Sequence, residues 1–120
     1  MDWTKVRNFK EHEFACKCGC GYNAINPQLV MALDMARKDS KVPFAITSGC
    51  RCKTHNVRVG GVDDSSHVKG FAVDIAVQGS GHRMAVLKAL MRYFDRIGID
   101  KNFIHVDNDP DKPTGVLWVY

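Results

Sequence analysis

No apolar run in this chain approaches the length of a membrane-spanning helix, and the opening stretch from Met1 to Asn8 has no apolar core of the kind a secretory signal carries. The expectation is a chain that neither crosses a membrane nor directs its own export. Charge of one sign is also sparse. Seventeen basic residues against 13 acidic ones leave a formal charge of only +4. The basic residues are scattered from Lys5 to Lys112, and without a clustered stripe a nucleic-acid-binding face is not expected. Internal repeats, low-complexity segments and linker-like stretches are missing as well. With 45% apolar content, the 120 residues are read as one domain, 1–120, large enough to bury a core without staples. A monomer is expected.

Cysteine is present but in an unusual pattern. Cys16, Cys18 and Cys20 form one cluster and Cys50 and Cys52 another. The odd count argues against a complete disulfide framework, and Cys-x-Cys is not the Cys-x-x-Cys spacing of common structural zinc knuckles. Three readings stay open: free, partly buried thiols, a second metal site, or a disulfide joining the clusters.

The histidines are more telling. His12, His55 and His82 lie in polar or helical surroundings and read as surface residues. His67 and His105 each enter or interrupt a segment that otherwise packs. Between them, Phe71 to Val77 is a near-continuous apolar run broken only by Asp74, which is the pattern of a strand buried on both faces. An unpaired carboxylate there would cost several kcal/mol, on the order of the desolvation penalty of a buried ion, so a cation is the expected partner. In Phe103-Ile104-His105-Val106-Asp107, strand alternation puts Phe103, His105 and Asp107 on one face. Two imidazoles and one carboxylate suit zinc, and three protein ligands leave a fourth position open, as catalytic zinc requires. The pattern predicts a hydrolase.

These residues also carry a family resemblance. The string SSHVKGFAVD, residues 65 to 74, resembles the S-x-H-x-x-G-x-A-x-D signature of the zinc D-Ala-D-Ala carboxypeptidases and their phage endolysin relatives. FIHVD resembles the strand bearing their last histidine, and Ile46-Thr47-Ser48-Gly49-Cys50-Arg51 resembles their strand ending in Ser-Gly-x-Arg. With His55-Asn56 and Gly60-Gly61, the similarity spans residues 9 to 107 or so. It implies an α+β fold of the hedgehog/DD-peptidase type, in which a small antiparallel sheet carries the zinc and helices pack against it. It implies zinc on His67, Asp74 and His105, substrate contact by Arg51, and a hydrogen bond near the substrate from Ser65. The implied substrate is a peptidoglycan peptide. A phage or prophage origin is expected, with cytoplasmic synthesis and delivery to the wall through a holin or as part of a virion. The Cys-rich stretch after Phe14 resembles one that relatives carry, an ornament that clips the N-terminal arm.

One position departs from the family pattern. Many relatives have an acidic residue three places before the last histidine as general base, and here that place holds Asn102, whose amide cannot take a proton. Asp107 and Asp100 are the neighbouring carboxylates. Asp107 is the expected base, because it lies about 7 Å beyond His105 on the same strand face; a role in orienting His105 is the alternative weighed beside it. Arg51 offers a permanently charged fork for a carboxylate, of which stem peptides have several. The competing function, kept alive by Asn102, is a zinc-bearing wall-binding or virion structural module.

Along the chain, Asn26-Pro27 caps a helix predicted over 27–39. Residues 43–48 read as a strand, and Gly49 to Gly61 as a long loop. A strand is predicted over 71–77. A helix opens at Ser80-Gly81 and runs to Arg96, with Met84, Leu87, Leu90, Met91 and Phe94 as its apolar stripe. The His105 strand, a turn at 108–111 and a strand over 116–120 complete the reading.

Overall fold

The computed structural model describes residues 1–120. Its elements in order are helix α1 (Pro27–Ser40), strand β1 (Ile46–Ser48), helix α2 (Lys53–Arg58), strand β2 (Ala72–Ala76), helix α3 (Gly79–Leu90), and strands β3 (Arg96–Ile99), β4 (Phe103–Asp107) and β5 (Val116–Val119). Two short 3-10 turns, Trp3–Lys5 and Glu11–Phe14, precede them. The five strands form one sheet in the order β1-β2-β4-β3-β5. The architecture is α+β, as expected.

The sheet is mixed, not purely antiparallel. β1–β2, β2–β4 and β3–β4 are antiparallel, but β5 runs parallel to β3, with Gly98 opposite Trp118. The connection from β4 to β5 passes through the turn at 108–111 and brings the chain back past β4 to the far edge of β3. Parallel pairing of that kind needs a crossover and has no local sequence signal.

Helix α1 starts where its sequence says it should. Asn26 Oδ1 accepts from the Leu29 amide at 3.0 Å, and Pro27 occupies the first turn, where its missing N–H costs nothing. The helix buries Leu29, Val30, Leu33 and Ala36 against α3 and one face of the sheet. Buried Asp34 of α1 accepts from the amides of Arg7 and Asn8 at 2.9 and 2.8 Å, which ties the N-terminal arm to the helix.

Three sequence expectations need correction. α3 ends at Leu90 rather than Arg96, and Arg96 to Ile99 form a strand instead. Its buried face is Val86, Ala89 and Leu90; Met84 and Met91 of the expected stripe are 60% and 59% exposed. Phe94 does reach the core, from the turn that follows the helix. The long loop after Gly49 contains the short helix α2, capped by Cys52, whose Sγ accepts from the His55 amide at 3.3 Å. Cysteine is not a usual capping residue, so the start signal was absent.

Beyond β4 the chain is pinned by Asp109, which is almost wholly buried. Its Oδ2 accepts from Ser66 Oγ at 2.7 Å and lies 2.7 Å from Lys69 Nζ, and its Oδ1 accepts from the Asp111 amide at 3.0 Å. Burial pushes this carboxyl up, but the hydrogen bonds from Lys69 and Ser66 outweigh it and hold it below its ordinary range. A depressed carboxylate stabilises the fold above its unfolded value and loses that contribution as the pH falls through the folded one. Asp109→Ala is therefore expected to cost about 2–3 kcal/mol at neutral pH. It should also flatten the decline of stability below about pH 4, as measured by denaturant unfolding across the acid range.

Candidate metal centre

His67 lies in a tight turn that fixes both its backbone and its ring. Its amide donates to Ser65 Oγ at 3.2 Å, and its carbonyl accepts from the Arg51 amide at 3.1 Å. Its Nδ1 lies 2.8 Å from the Gly49 carbonyl oxygen. A carbonyl only accepts, so Nδ1 carries the proton and the Nε2 lone pair is turned to Asp74 Oδ1, 3.3 Å away. Gly49 can bring its carbonyl there because the chain crosses Phe14 so closely that a Cβ at position 49 would sit 2.6 Å from the Phe14 oxygen.

His105 is arranged in the same sense by different means. It stands directly opposite Asp74 across the β2–β4 pair. Its Nε2 lies 2.7 Å from Asp107 Oδ2 and its Nδ1 lies 3.0 Å from Asp74 Oδ1. Asp107 is ionised: burial pushes it up, but His105 and Arg96 pull it down further. The neutral imidazole then carries its proton on Nε2, toward Asp107, and turns its Nδ1 lone pair to Asp74. Where no cation lies between them the rings can instead donate: burial pushes the Asp74 carboxyl up, but N–H donation from His105 and His67 holds it far below its ordinary range.

Three lone pairs, from His67 Nε2, Asp74 Oδ1 and His105 Nδ1, thus converge on one buried volume with no donor between them. Such a cluster repels itself unless a cation sits at its centre. Protonation is one remedy, and the His105 value is accordingly raised, its two carboxylate neighbours winning over burial. A metal ion is the other. Ligand bonds of about 2.0–2.1 Å in a tetrahedral arrangement place ligand atoms about 3.3 Å apart, and the separations from Asp74 Oδ1 are 3.0 and 3.3 Å. The donor set, its burial and its spacing fit zinc.

This cluster forms the floor of a cleft of about 330 Å³. Arg51 stands at one side. Its Nη2 is 3.6 Å from the outer oxygen of Asp74, while Nε donates to Ser48 Oγ and Nη1 to Asn56 Oδ1, both at 3.2 Å. Two of its five N–H groups are hydrogen-bonded, and the guanidinium lines the cleft with donors to spare for a ligand. Ser65 lines the cleft beside His67. The opposite wall is aromatic: Trp118 packs on His105 with ring centroids 5.5 Å apart, and Tyr120 packs on Phe103 at 5.3 Å. Gly98 makes room for that wall, since a Cβ there would meet the indole at 2.5 Å.

The structure brings together all six residues singled out from the sequence: Arg51, Ser65, His67, Asp74, His105 and Asp107. Asp107 shares the strand face of His105 as expected, but its carboxylate lies at the ring nitrogen remote from Asp74. Oδ2 is taken by His105, and Oδ1 by Arg96 Nε at 2.6 Å and the Asp109 amide at 3.2 Å. Of the two roles weighed for it, that geometry supports orienting His105 over accepting a proton from substrate water. Asp100 and Asn102 sit in the β3–β4 turn, outside the cleft lining. Sequence reasoning missed Arg96, Lys112, Trp118 and Tyr120, all of which line the cleft. The alternation Trp118-x-Tyr120 was the available signal for two of them.

Two imidazoles and a carboxylate at the base of an open cleft, with an arginine beside them, make a candidate site for a single metal ion of the kind zinc hydrolases use. The Peptidase M15 family model matches residues 7–107, and the chain belongs to that family. Its peptidases are zinc-dependent and act on peptides of the bacterial cell wall, and that membership supports a zinc metallopeptidase. No curated protein matches the sequence.

His67→Ala and His105→Ala are each expected to abolish stoichiometric binding at this centre. Asp107→Ala should instead weaken zinc about 10- to 100-fold, the usual effect of removing a carboxylate that orients a ligating histidine. Competition against a chromophoric chelator distinguishes these outcomes; undiminished affinity in Asp107→Ala would return that residue to the role of base.

Proposed function

We propose that the protein hydrolyses peptidoglycan stem or cross-link peptides as a D-Ala-D-Ala carboxypeptidase or endopeptidase, with zinc held by His67, Asp74 and His105. The observation that carries this reading is the convergence of three lone pairs beside an arginine with unused donors. Bound zinc supplies polarisation of the scissile carbonyl and acidification of the attacking water. Asp107 and Arg96 hold His105 in the tautomer that presents Nδ1. The Gly49 carbonyl holds His67 in the opposite tautomer, the one that presents Nε2. Arg51 receives a substrate carboxylate, either the C-terminal one of a stem peptide or a free side-chain one, and its fork geometry positions the neighbouring peptide bond over the cleft floor. Trp118, Tyr120 and Phe103 cover the other side and exclude water from the bound peptide. A phage or prophage source, with delivery by a holin or a virion, accords with this activity.

A second reading draws on a specific observation. The cleft lining contains no carboxylate besides Asp74, which belongs to the metal cluster, and Asp107, whose oxygens are taken by His105 and Arg96. With Asn102 at the place of the family's base, a zinc-bearing module that binds wall peptides without cleaving them is the competing function.

The deciding experiment is digestion of purified peptidoglycan with and without a chelator, followed by mass spectrometry of the products. Chelator-sensitive release of free D-Ala marks a carboxypeptidase, and larger fragments mark an endopeptidase. Zinc-loaded protein that binds peptidoglycan and releases nothing supports the binding module. If cleavage occurs, Arg51→Ala should lower kcat/KM about 10- to 100-fold, the worth of a charge-assisted hydrogen bond, with zinc content unchanged. Equal kcat/KM in variant and wild type would confine Arg51 to supporting Asp74.

A further inference from the structure

The cysteines provide a second constellation, outside the cleft lining. Cys16, Cys18 and Cys20 lie on one loop and Cys52 caps α2, yet their four sulfurs all fall within 4.8 Å of one another. Cys16 Sγ is 3.4 Å from Cys18 Sγ, and Cys18 Sγ is 3.8 Å from Cys52 Sγ. A disulfide would hold its sulfurs about 2.05 Å apart. Four thiolates on one zinc, with bonds of about 2.3 Å, stand about 3.8 Å apart along the edges of a tetrahedron. The observed spacing is that of a shared ion.

The backbone around the sulfurs agrees. Gly19 and Gly21 both adopt positive φ, 86° and 85°, conformations that side-chain-bearing residues rarely take, and they wrap the loop so that alternate residues turn their sulfurs inward. Three of the four sulfurs already receive main-chain N–H groups: Cys16 from Cys52 at 3.4 Å, Cys20 from Tyr22 at 3.5 Å, and Cys52 from His55 at 3.3 Å. Such donors offset the net negative charge that four thiolates leave on a divalent ion. Cys50 stands apart, buried, with its thiol 3.6 Å from Asn23 Oδ1. Five cysteines thus divide into four and one, which accounts for the odd count without a disulfide.

We propose that Cys16, Cys18, Cys20 and Cys52 bind a zinc ion as a closed tetrathiolate site that fastens the N-terminal loop to the start of α2. Soft sulfur ligands in a tetrahedron select zinc or another thiophilic ion, and four protein ligands leave no position for substrate, so this ion is structural. The assignment rests on the sulfur positions alone and stands or falls apart from the peptidase reading.

The test is zinc counting by elemental mass spectrometry, together with X-ray absorption at the zinc edge, on the full chain purified under reducing conditions. Two zinc ions per chain are expected from the two constellations, with a sulfur shell near 2.3 Å and a nitrogen/oxygen shell near 2.0 Å. Cys18→Ser/Cys20→Ser, at exposed positions, should halve the zinc and erase the site's tetrathiolate signature. His67→Ala/His105→Ala should halve it and leave the sulfur shell whole. If the histidine assignment is wrong, the sulfur shell still appears. A wild-type protein with no zinc–sulfur scattering overturns the proposal, as does an intact mass showing disulfides among these four cysteines. Should the cysteine variant fail to fold, the wild-type absorption spectrum decides by itself.

Discussion

The pairing of β2 with β4 is the constraint on which the centre depends. In this antiparallel register Asp74 faces His105, Val73 faces Val106 and Ile75 faces Ile104. Alternation then sends Asp74 and His105 to the cleft, while Val73, Ile75, Ile104 and Val106, all fully buried, go to the core with α1 and α3. A one-residue slip of either strand would bury a polar residue in that core and expose a core residue to the cleft. The register that satisfies the hydrophobic core is therefore the one that assembles the lone pairs. Core packing stabilises an arrangement that is electrostatically unfavourable in itself, and a bound cation relieves it.

Around that pair, each ligand is held by a partner that can act in only one way. The Gly49 carbonyl cannot donate, so it fixes the proton of His67. Asp107, kept ionised against its burial by His105 and Arg96, fixes the proton of His105. Asp74 needs no tautomer, and its outer oxygen is steadied by Arg51. Arg96 in turn lies against Trp118, 5.1 Å from the ring centroid, so the group that orients His105 also supports the aromatic wall. The candidate metal ligands and the aromatic wall of the cleft thereby share one set of supports.

Much of this was legible in the sequence because the informative residues violate their local pattern. Asp74 breaks an apolar run, His105 and Asp107 alternate with Ile104 and Val106, and Asn26-Pro27 announces α1; each signal is local, and each element lies where it was expected. What stayed hidden depended on contacts distant in sequence. Gly98 is a strand position kept bare so that the indole of Trp118, twenty residues on, can lie over it. Leu87, Leu90 and Phe94 continue a helical spacing, but Phe94 reaches the core from a turn, so the pattern survived the end of the helix that it suggested. Strand alternation placed Asp107 beside His105 correctly; it carried no information on which ring nitrogen the carboxylate would meet.

The four residues Gly49-Cys50-Arg51-Cys52 join these themes. The Gly49 carbonyl orients His67, the Arg51 amide donates to the His67 carbonyl, and the Arg51 side chain reaches Asp74. Such a loop needs backing, because a shift of about 1 Å in catalytic groups can be as damaging as the loss of one. The backing comes from the N-terminal arm. The Cys50 amide donates to the Phe14 oxygen at 2.8 Å, Gly49 crosses Phe14 at a distance only glycine allows, and Cys52 joins the sulfur cluster of Cys16, Cys18 and Cys20. Phe14 is itself fully buried between Trp3 and Phe9. The Cys-rich stretch therefore lies on the path from the N-terminal core to two of the candidate metal ligands, and its sulfurs bear on the geometry of the cleft from outside its lining.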